Sequence, residues 1–199
     1  MVSGDVRTRT RDIARAAVRA ELGQVAIGLF QREGFAKVTI NDVAAAAGVS
    51  RNTFLRYFGT KEDAVLGAFD AQGQRVADAL RARPAGEDDW TVLRHALDTI
   101  VEDYRRDPGG TLATARLIQE TPALRARRLE KQCGWRPLLA QALAERTDPP
   151  SLPTDLDLLV RAAAALDCLE IAVDQWAASD GRLALDDLID QAFAALAAR

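Results

Sequence analysis

A group of hydrogen-bonding side chains lies within residues 39–61, which read TINDVAAAAGVSRNTFLRYFGTK. Arginine and asparagine can each form paired hydrogen bonds with base edges, so Arg51 and Asn52 are candidates for reading a base sequence. Hydroxyl groups and lysine suit the sugar–phosphate backbone, where they position a protein without reading sequence. The chemistry expected of this stretch is therefore recognition of double-stranded DNA. The candidate contact residues are Thr39, Ser50, Arg51, Asn52, Thr53, Arg56, Tyr57 and Lys61.

Two short helices joined by a tight turn would position these side chains. Thr39 is a good N-cap, and Asp42 three residues later completes a carboxylate variant of the capping box. Apolar residues then recur at helical spacing up to Gly48, which supplies the left-handed residue that ends the first helix. Ser50 caps the second helix, whose outward positions carry the hydrogen-bonding residues. Such a unit can place its second helix in the major groove.

Residues 22–66 resemble the N-terminal domain of the tetracycline-repressor (TetR) family of regulators. The resemblance extends over many positions in the same order, so it is more specific than a bare helix-turn-helix pattern. Leu55 departs from it, because the family commonly has an aromatic residue there. The matching residues are Ala26, Leu29-Phe30, Gly34-Phe35, Thr39 to Ala44, Ala47 to Ser50, Thr53-Phe54, Tyr57-Phe58 and Lys61-Glu62.

The resemblance implies a homodimer that binds operator DNA and responds to a small-molecule effector, usually as a repressor. It also matches Lys61 to a lysine of the family pattern at a helix start, where a phosphate would be favoured. The residue chemistry alone leaves an exposed lysine without a role as the alternative. Two other functions stay open, namely a helical small-molecule binding protein without operator recognition and an α-helical enzyme or partner-binding bundle.

The charge distribution supports a nucleic-acid partner for one part of the chain only. The net charge is −3, but residues 1–59 hold nine Lys/Arg and five Asp/Glu, and residues 60–199 hold seventeen and twenty-four. A basic segment followed by an acidic one fits a chain that brings only its first part to a polyanion. We therefore expect a DNA-binding domain over 1–59 and a ligand-binding and dimerisation domain over 60–199.

Composition and the spacing of apolar residues predict an all-α protein of about nine helices, with a three-helix DNA-binding head at the N-terminus. Hydrophobic residues make up 48% of the chain and aromatic residues only 6%, so the core is expected to be aliphatic and rich in alanine, which favours helix. No run reaches the ~20 apolar residues of a membrane span, and the N-terminus lacks an apolar signal core. These features predict a cytoplasmic protein without a membrane partner.

Motifs for catalysis and cofactor binding are missing from the sequence. His95 is the single histidine, and the two cysteines, Cys133 and Cys168, do not form a metal-ligand or disulfide pattern. No glycine-rich phosphate loop follows a strand. We therefore expect no enzyme activity, no metal and no cofactor.

Two segments flank the predicted DNA-binding helices. Residues 1–11 look like a flexible basic arm with three arginines, which either contacts DNA phosphates or the minor groove or is a solvated terminus without a role. A first helix is predicted over 12–33. A continuous helix over 60–83 would join the two domains and transmit movement between them.

A ligand pocket is predicted in the second domain, beside a helix over 121–146 that Gly134 and Pro137 should kink or divide. The kink would open a gap, although a simple bend around a core tryptophan is the alternative. Few fixed charges line this gap, so the expected effector is small and largely apolar. The nearby basic run from Arg125 to Arg136 is interpreted as a solvated face, with a site for an anionic ligand group as the alternative. The predicted lining residues are Leu93, Leu97, Tyr104, Leu117, Trp135 and Leu139.

The helix predicted over 154–178 is apolar on nearly every side. A helix of this kind must be buried all round, which a chain of this size cannot easily achieve alone. A homodimer is expected, with this helix and the last helix of each subunit forming a four-helix interface. The predicted interface residues are Leu159, Ala163, Leu166, Trp176, Leu188 and Phe193.

Overall fold

The computed structural model describes residues 3–146, 152 and 155–197. The described residues form twelve α-helices and no β-strand, so the predicted all-α class is confirmed. The chain divides into two compact units, Met1–Ala68 and Phe69–Arg199, called here the N-terminal unit and the C-terminal unit. Among the described helices, none is both long enough and apolar enough to cross a membrane.

The N-terminal unit consists of four helices around a small aromatic core. Helix α1 contacts both α2 and α4, and α2 contacts α3. Phe30, Phe54 and Phe58 are buried at the centre, and a Cβ at Gly23 would lie 3.2 Å from the Ala64 carbonyl oxygen, so α1 and α4 approach closely. The helices are α1 (Ser3–Glu33), α2 (Ile40–Ala46), α3 (Arg51–Tyr57) and α4 (Lys61–Val65).

The C-terminal unit consists of eight helices around one larger core. Helix α10 lies between α5 and α11, and α11 also packs against α12. A Cβ at Gly73 would lie 2.5 Å from the indole of Trp135, so glycine is what allows this tryptophan to pack against α5. The helices are α5 (Phe69–Ala82), α6 (Asp89–Ala96), α7 (Asp98–Arg106), α8 (Pro108–Glu120), α9 (Pro122–Cys133), α10 (Trp135–Ala144), α11 (Leu156–Ala178) and α12 (Leu185–Ala197).

Several predicted helix boundaries differ from the observed ones. The helix predicted over 60–83 is two helices, because α4 ends at Val65 and α5 begins at Phe69. The division predicted for the helix over 121–146 is observed, with Gly134 between α9 and α10. Pro137 lies in the first turn of α10, where its missing N–H leaves no hydrogen bond unmade.

The N-terminus also differs from its prediction. The segment 1–11 was expected to be flexible, but α1 begins at Ser3 and continues without a break to Glu33. Residues 1 and 2 lie outside the described part of the chain, as do 147–151 and 153–154 in the loop before α11.

Candidate functional site

The first helix of the candidate DNA interface is capped as its sequence predicts. The Thr39 N–H donates to Asp42 Oδ2 at 2.8 Å, and the Asp42 N–H donates to Thr39 Oγ1 at 3.3 Å. The Thr39 hydroxyl also donates to Asp42 Oδ2 at 2.7 Å, and this bond together with the one from the Thr39 N–H holds the pKa of the Asp42 carboxyl below its usual value, because both stabilise the charged form. The reciprocal pair fixes where α2 begins.

The turn between α2 and α3 is closed by its backbone. Gly48 adopts a φ of +65°, a left-handed conformation that glycine tolerates without a Cβ clash. The Val49 N–H donates to the Ala44 carbonyl at 2.9 Å, and the Thr53 N–H donates to Ser50 Oγ at 3.0 Å. Because hydrogen bonds hold both ends of the turn, the orientation of α3 relative to α2 is fixed.

Helix α3 has one buried face and one polar face. Phe54 and Phe58 pack against each other with ring centroids 5.2 Å apart, and both are buried. Arg51 and Asn52 are exposed at the start of the helix, as is Arg56 further along. The other predicted contact residues on α3, Thr53 and Tyr57, are half-buried, and Ser50 and Thr39 are exposed caps.

Lys61 is tied to its own chain. Its ammonium donates to the Phe35 carbonyl at 2.8 Å and to the Val38 carbonyl at 3.3 Å, and lies 4.2 Å from the centroid of the Phe35 ring. The alternative of an exposed lysine without a role is therefore wrong. Lys61 holds the start of α4 against the loop between α1 and α2, and its contact with phosphate stays a prediction.

We expect Lys61→Met to destabilise the N-terminal unit by about 1–3 kcal/mol, since two charge-assisted hydrogen bonds and a cation–π contact are lost. Hydrogen exchange of the backbone amides in the N-terminal unit would measure this loss of stability. Lys37→Met is the matched control, because Lys37 is exposed in the same unit. Equal protection in both variants would show that the contacts of Lys61 contribute nothing to stability.

Two arginines of α1 contact the end of α3, and the sequence interpretation missed them. The Arg15 guanidinium lies 5.8 Å from the Tyr57 ring centroid, and its Nη2 donates to the Arg56 carbonyl at 3.5 Å. The Arg19 guanidinium lies 5.0 Å from the Phe58 ring centroid. The four-residue spacing of these arginines was the available signal, but their aromatic partners come from tertiary packing.

The predicted ligand-pocket residues are mostly in the packed core. Leu93, Leu97, Trp135 and Leu139 belong to the core cluster of the C-terminal unit, and Leu117 is also buried. These five side chains are buried, and none of them lines either of the two clefts that described residues form, so their role in a pocket stays a prediction. Tyr104 alone of the six lines a cleft that the structure describes.

That cleft has a volume of about 600 Å³ and lies between the end of α7, the start of α8 and the turn from α11 to α12. Tyr104 and Trp176 meet edge to face in its wall, with ring centroids 5.0 Å apart. Burial raises the pKa of the Tyr104 hydroxyl to about 12, so this group stays protonated at neutral pH. Arg105 donates to Asp186 at 2.6 Å on the rim. The cleft therefore combines an aromatic wall with a charged rim.

Comparison with known proteins covers both units. The description "Bacterial regulatory proteins, tetR family" matches residues 24–66, and the description "MftR C-terminal domain" matches residues 87–199, more than half of the chain. The chain belongs to the TetR family.

Two curated relatives carry regulator names. One, from Mycobacterium tuberculosis, bears the name mycofactocin biosynthesis transcriptional regulator MftR and is 31% identical over 140 residues, 67% of each chain. The HTH-type transcriptional regulator TcmR of Streptomyces glaucescens is 30% identical over 144 residues, 69% of this chain and 63% of the relative.

Solved structures share the fold at lower identity. One is FadR of Thermus thermophilus, a TetR-family repressor in complex with lauroyl-CoA. Its TM-score is 0.60 at 24% sequence identity, and the aligned part covers 90% of this chain and 93% of the FadR chain. FadR of Bacillus subtilis, in complex with stearoyl-CoA, has a TM-score of 0.61 at 18% sequence identity. The aligned part covers 89% of this chain and 97% of that FadR chain.

In this TetR-family chain the basic run of α9 is not simply a solvated face. Arg128 is buried, and its Nη2 donates to Glu170 at 2.8 Å and to Asp174 at 3.4 Å on α11. Lys131 forms an ion pair with Asp70 at 2.9 Å. The solvated-face interpretation is therefore wrong for these two residues, which join α9 to α11 and to α5.

The interface predicted for the TetR-family dimer is only partly at the surface. Leu166 and Trp176 are 1% and 5% exposed within the single chain, so their burial needs no partner. The premise that a single chain of this size cannot easily bury α11 is corrected, because one chain already buries ten of its residues. The other four predicted residues, Leu159, Ala163, Leu188 and Phe193, are half-buried.

Three large apolar side chains stay exposed on α11. They are Leu156, Val160 and Ile171, at 77%, 55% and 59% exposure. Their positions fall on one side of the helix, because four and eleven residues are close to whole numbers of turns. We call these three residues the α11 stripe.

Proposed function

We propose that this TetR-family chain is a ligand-responsive DNA-binding repressor that acts as a cytoplasmic homodimer on a palindromic operator. The observation that supports this most directly is α3, a capped helix with Arg51 and Asn52 exposed at its start. The regulator names of its curated relatives favour this function over an enzyme or a binding protein without an operator.

DNA recognition would place α3 in the major groove. Arg51 suits guanine and Asn52 suits adenine, because each can form two hydrogen bonds to one base. Ser50, Thr53 and Tyr57 would bind phosphates and set the position of the helix. In a two-fold dimer the two α3 helices read one palindrome when they lie about 34–36 Å apart, one turn of the duplex.

Ligand control would follow from linkage between the effector and the DNA. The effector can weaken DNA binding only by its own preference between two dimer arrangements, typically about 1–3 kcal/mol. The cleft beside Tyr104 and Trp176 is the proposed effector site, and its apolar wall suits a small, largely apolar molecule. The FadR neighbours bind acyl-CoA molecules, so an acyl chain is a reasonable first probe.

Lauroyl-CoA should lower operator affinity by up to roughly a hundredfold if an acyl chain is the effector. Fluorescence anisotropy of labelled operator DNA would detect this release. Operator DNA must weaken lauroyl-CoA binding by the same factor, since coupling is reciprocal. A ligand that binds without changing operator affinity would leave a DNA-binding dimer that is not a ligand switch.

Arg51→Ala and Asn52→Ala should each reduce discrimination between the operator and a shuffled duplex by about 1–3 kcal/mol. The operator can be sought in the promoter region beside the gene of this protein. Arg32→Ala is the control, since Arg32 is an exposed arginine of the same unit outside α3. Unchanged selectivity in both α3 variants would show that α3 does not read the bases.

A further inference from the structure

The part of α1 from Thr10 to Glu21 is more exposed than a helix packed along its whole length against the core would be. Every described side chain from Thr10 to Glu21 is exposed except Arg19, which is half-buried. Among the side chains of α1 that the structure describes, the buried ones begin at Leu22. This part of α1 therefore extends beyond the core that it helps to form.

Arginines recur along this exposed segment at intervals of four residues. Arg11, Arg15 and Arg19 follow this spacing, and residue 7 in the sequence is also arginine. Four residues turn an α-helix by about 400°, so each arginine is displaced by only about 40° from the one before it. The three described arginines consequently form a slowly winding stripe on one side of α1, called here the arginine stripe.

Contacts with α3 fix the direction in which the arginine stripe faces. Arg15 and Arg19 lie against the rings of Tyr57 and Phe58 at the end of α3. Arg11 is about 6 Å further along α1 than Arg15, on the side away from the buried part of the helix. The stripe thus begins beside the last turn of α3 and continues outward from it.

We propose that Arg11 and Arg15 bind backbone phosphates of DNA that flanks the bases read by α3. This proposal rests on the proposed function and adds a second contact surface to it. A duplex carries one negative charge per about 1.7 Å of its axis, so a 6 Å step along α1 passes about three or four phosphates. Contacts of this kind raise affinity for every sequence and add no base selectivity.

The charge around the stripe agrees with a polyanionic partner. Residues 7–19 contain five arginines and one aspartate. Among the described residues, Arg11 has no carboxylate partner, so its charge is free to meet a phosphate.

A membrane surface fits this helix less well. An interfacial helix needs one continuous apolar face. The two large apolar residues exposed on this segment, Ile13 and Val18, are five positions apart and therefore point about 140° away from each other. DNA is the partner that the arrangement favours.

The salt dependence of DNA binding tests the arginine stripe. Arg11→Ala should lower the slope of log affinity against log salt by about 0.9 per subunit, or about 1.8 for a dimer. Between 50 and 200 mM salt, the wild type should lose roughly twelvefold more affinity than this variant. Selectivity for the operator over a shuffled duplex should not change, because no base contact is removed.

Arg32→Ala is the matched control, since it removes the same charge from an exposed arginine of α1 that lies about six turns away from Arg11. Its slope should stay close to that of the wild type. A wild-type slope for Arg11→Ala, or equal losses in the two variants, would overturn the proposal.

Duplex length gives a second readout. Removing the base pairs outside the operator should abolish the difference between Arg11→Ala and wild type, whereas an unchanged difference would overturn the proposed flanking contact. The slope can be measured on shuffled DNA as well. If the wild type binds the operator no better than shuffled DNA, the proposed function is wrong. If Arg11→Ala has the same slope of log affinity against log salt as the wild type, the proposal for the arginine stripe is wrong.

Discussion

Glu170→Gln together with Asp174→Asn should lower the free energy of unfolding of the C-terminal unit by about 3–5 kcal/mol. Arg128 is buried between α9 and α11, and these two carboxylates are its charged partners in the described residues. Neutralising both leaves a guanidinium that has lost its water and its counter-charges. Urea denaturation followed by circular dichroism would measure the change.

Two companion variants separate this effect from ordinary loss of surface charge. Adding Arg128→Met to the double variant should restore most of the stability, since an apolar replacement of a buried ion group is often neutral. Glu130→Gln removes the carboxylate of the more exposed pair with Arg127 and should cost less than about 1 kcal/mol. If the double variant loses no more than Glu130→Gln, the Arg128 cluster does not stabilise the unit.

Ile171→Glu should convert the proposed dimer into folded monomers and lower operator affinity by about 100-fold or more, because the two half-sites are then bound independently. Ile171 belongs to the α11 stripe and is 59% exposed in the single chain, so a glutamate there meets water in the monomer. In a two-fold interface the same substitution would bury two unpaired carboxylates. Light scattering gives the mass, and anisotropy with operator DNA gives the affinity.

Leu183→Glu is the matched control for the dimer. Leu183 is also a large apolar residue, 49% exposed, but it lies in the turn between α11 and α12 and not on the stripe. This variant should stay dimeric. A dimeric Ile171→Glu protein with wild-type DNA affinity would place the interface on another surface.

The helix-turn-helix was predictable because its signals are local. The hydrogen bonds between Thr39 and Asp42 and between Ser50 and Thr53 join residues three apart, so residue types alone are enough to predict where α2 and α3 begin. Gly48 is similar, since a left-handed turn residue depends on its own backbone. The all-α class was equally clear from the alanine-rich composition.

Positions inside longer helices were harder to predict. Pro137 was a clear sign of a helix break, yet the division lies at Gly134, because proline is tolerated in the first turn of the following helix. The break between α4 and α5 has a weaker signal than a proline, the single glycine Gly67. The predicted helix over 60–83 shows that hydrophobic periodicity can continue across a short interruption.

The sequence by itself determined the helical class, the capped recognition helix and the family, since these depend on residues close together in the chain. Only the tertiary structure decided what each buried group touches. Lys61 meets carbonyls of residues more than twenty positions away, and Arg128 meets carboxylates more than forty positions away. Hydrophobicity predicted that Leu93 and Leu166 would be buried, but not whether a ligand, a partner or their own core would cover them. That choice depends on how helices distant in sequence pack together, which the spacing of apolar residues along one helix does not specify.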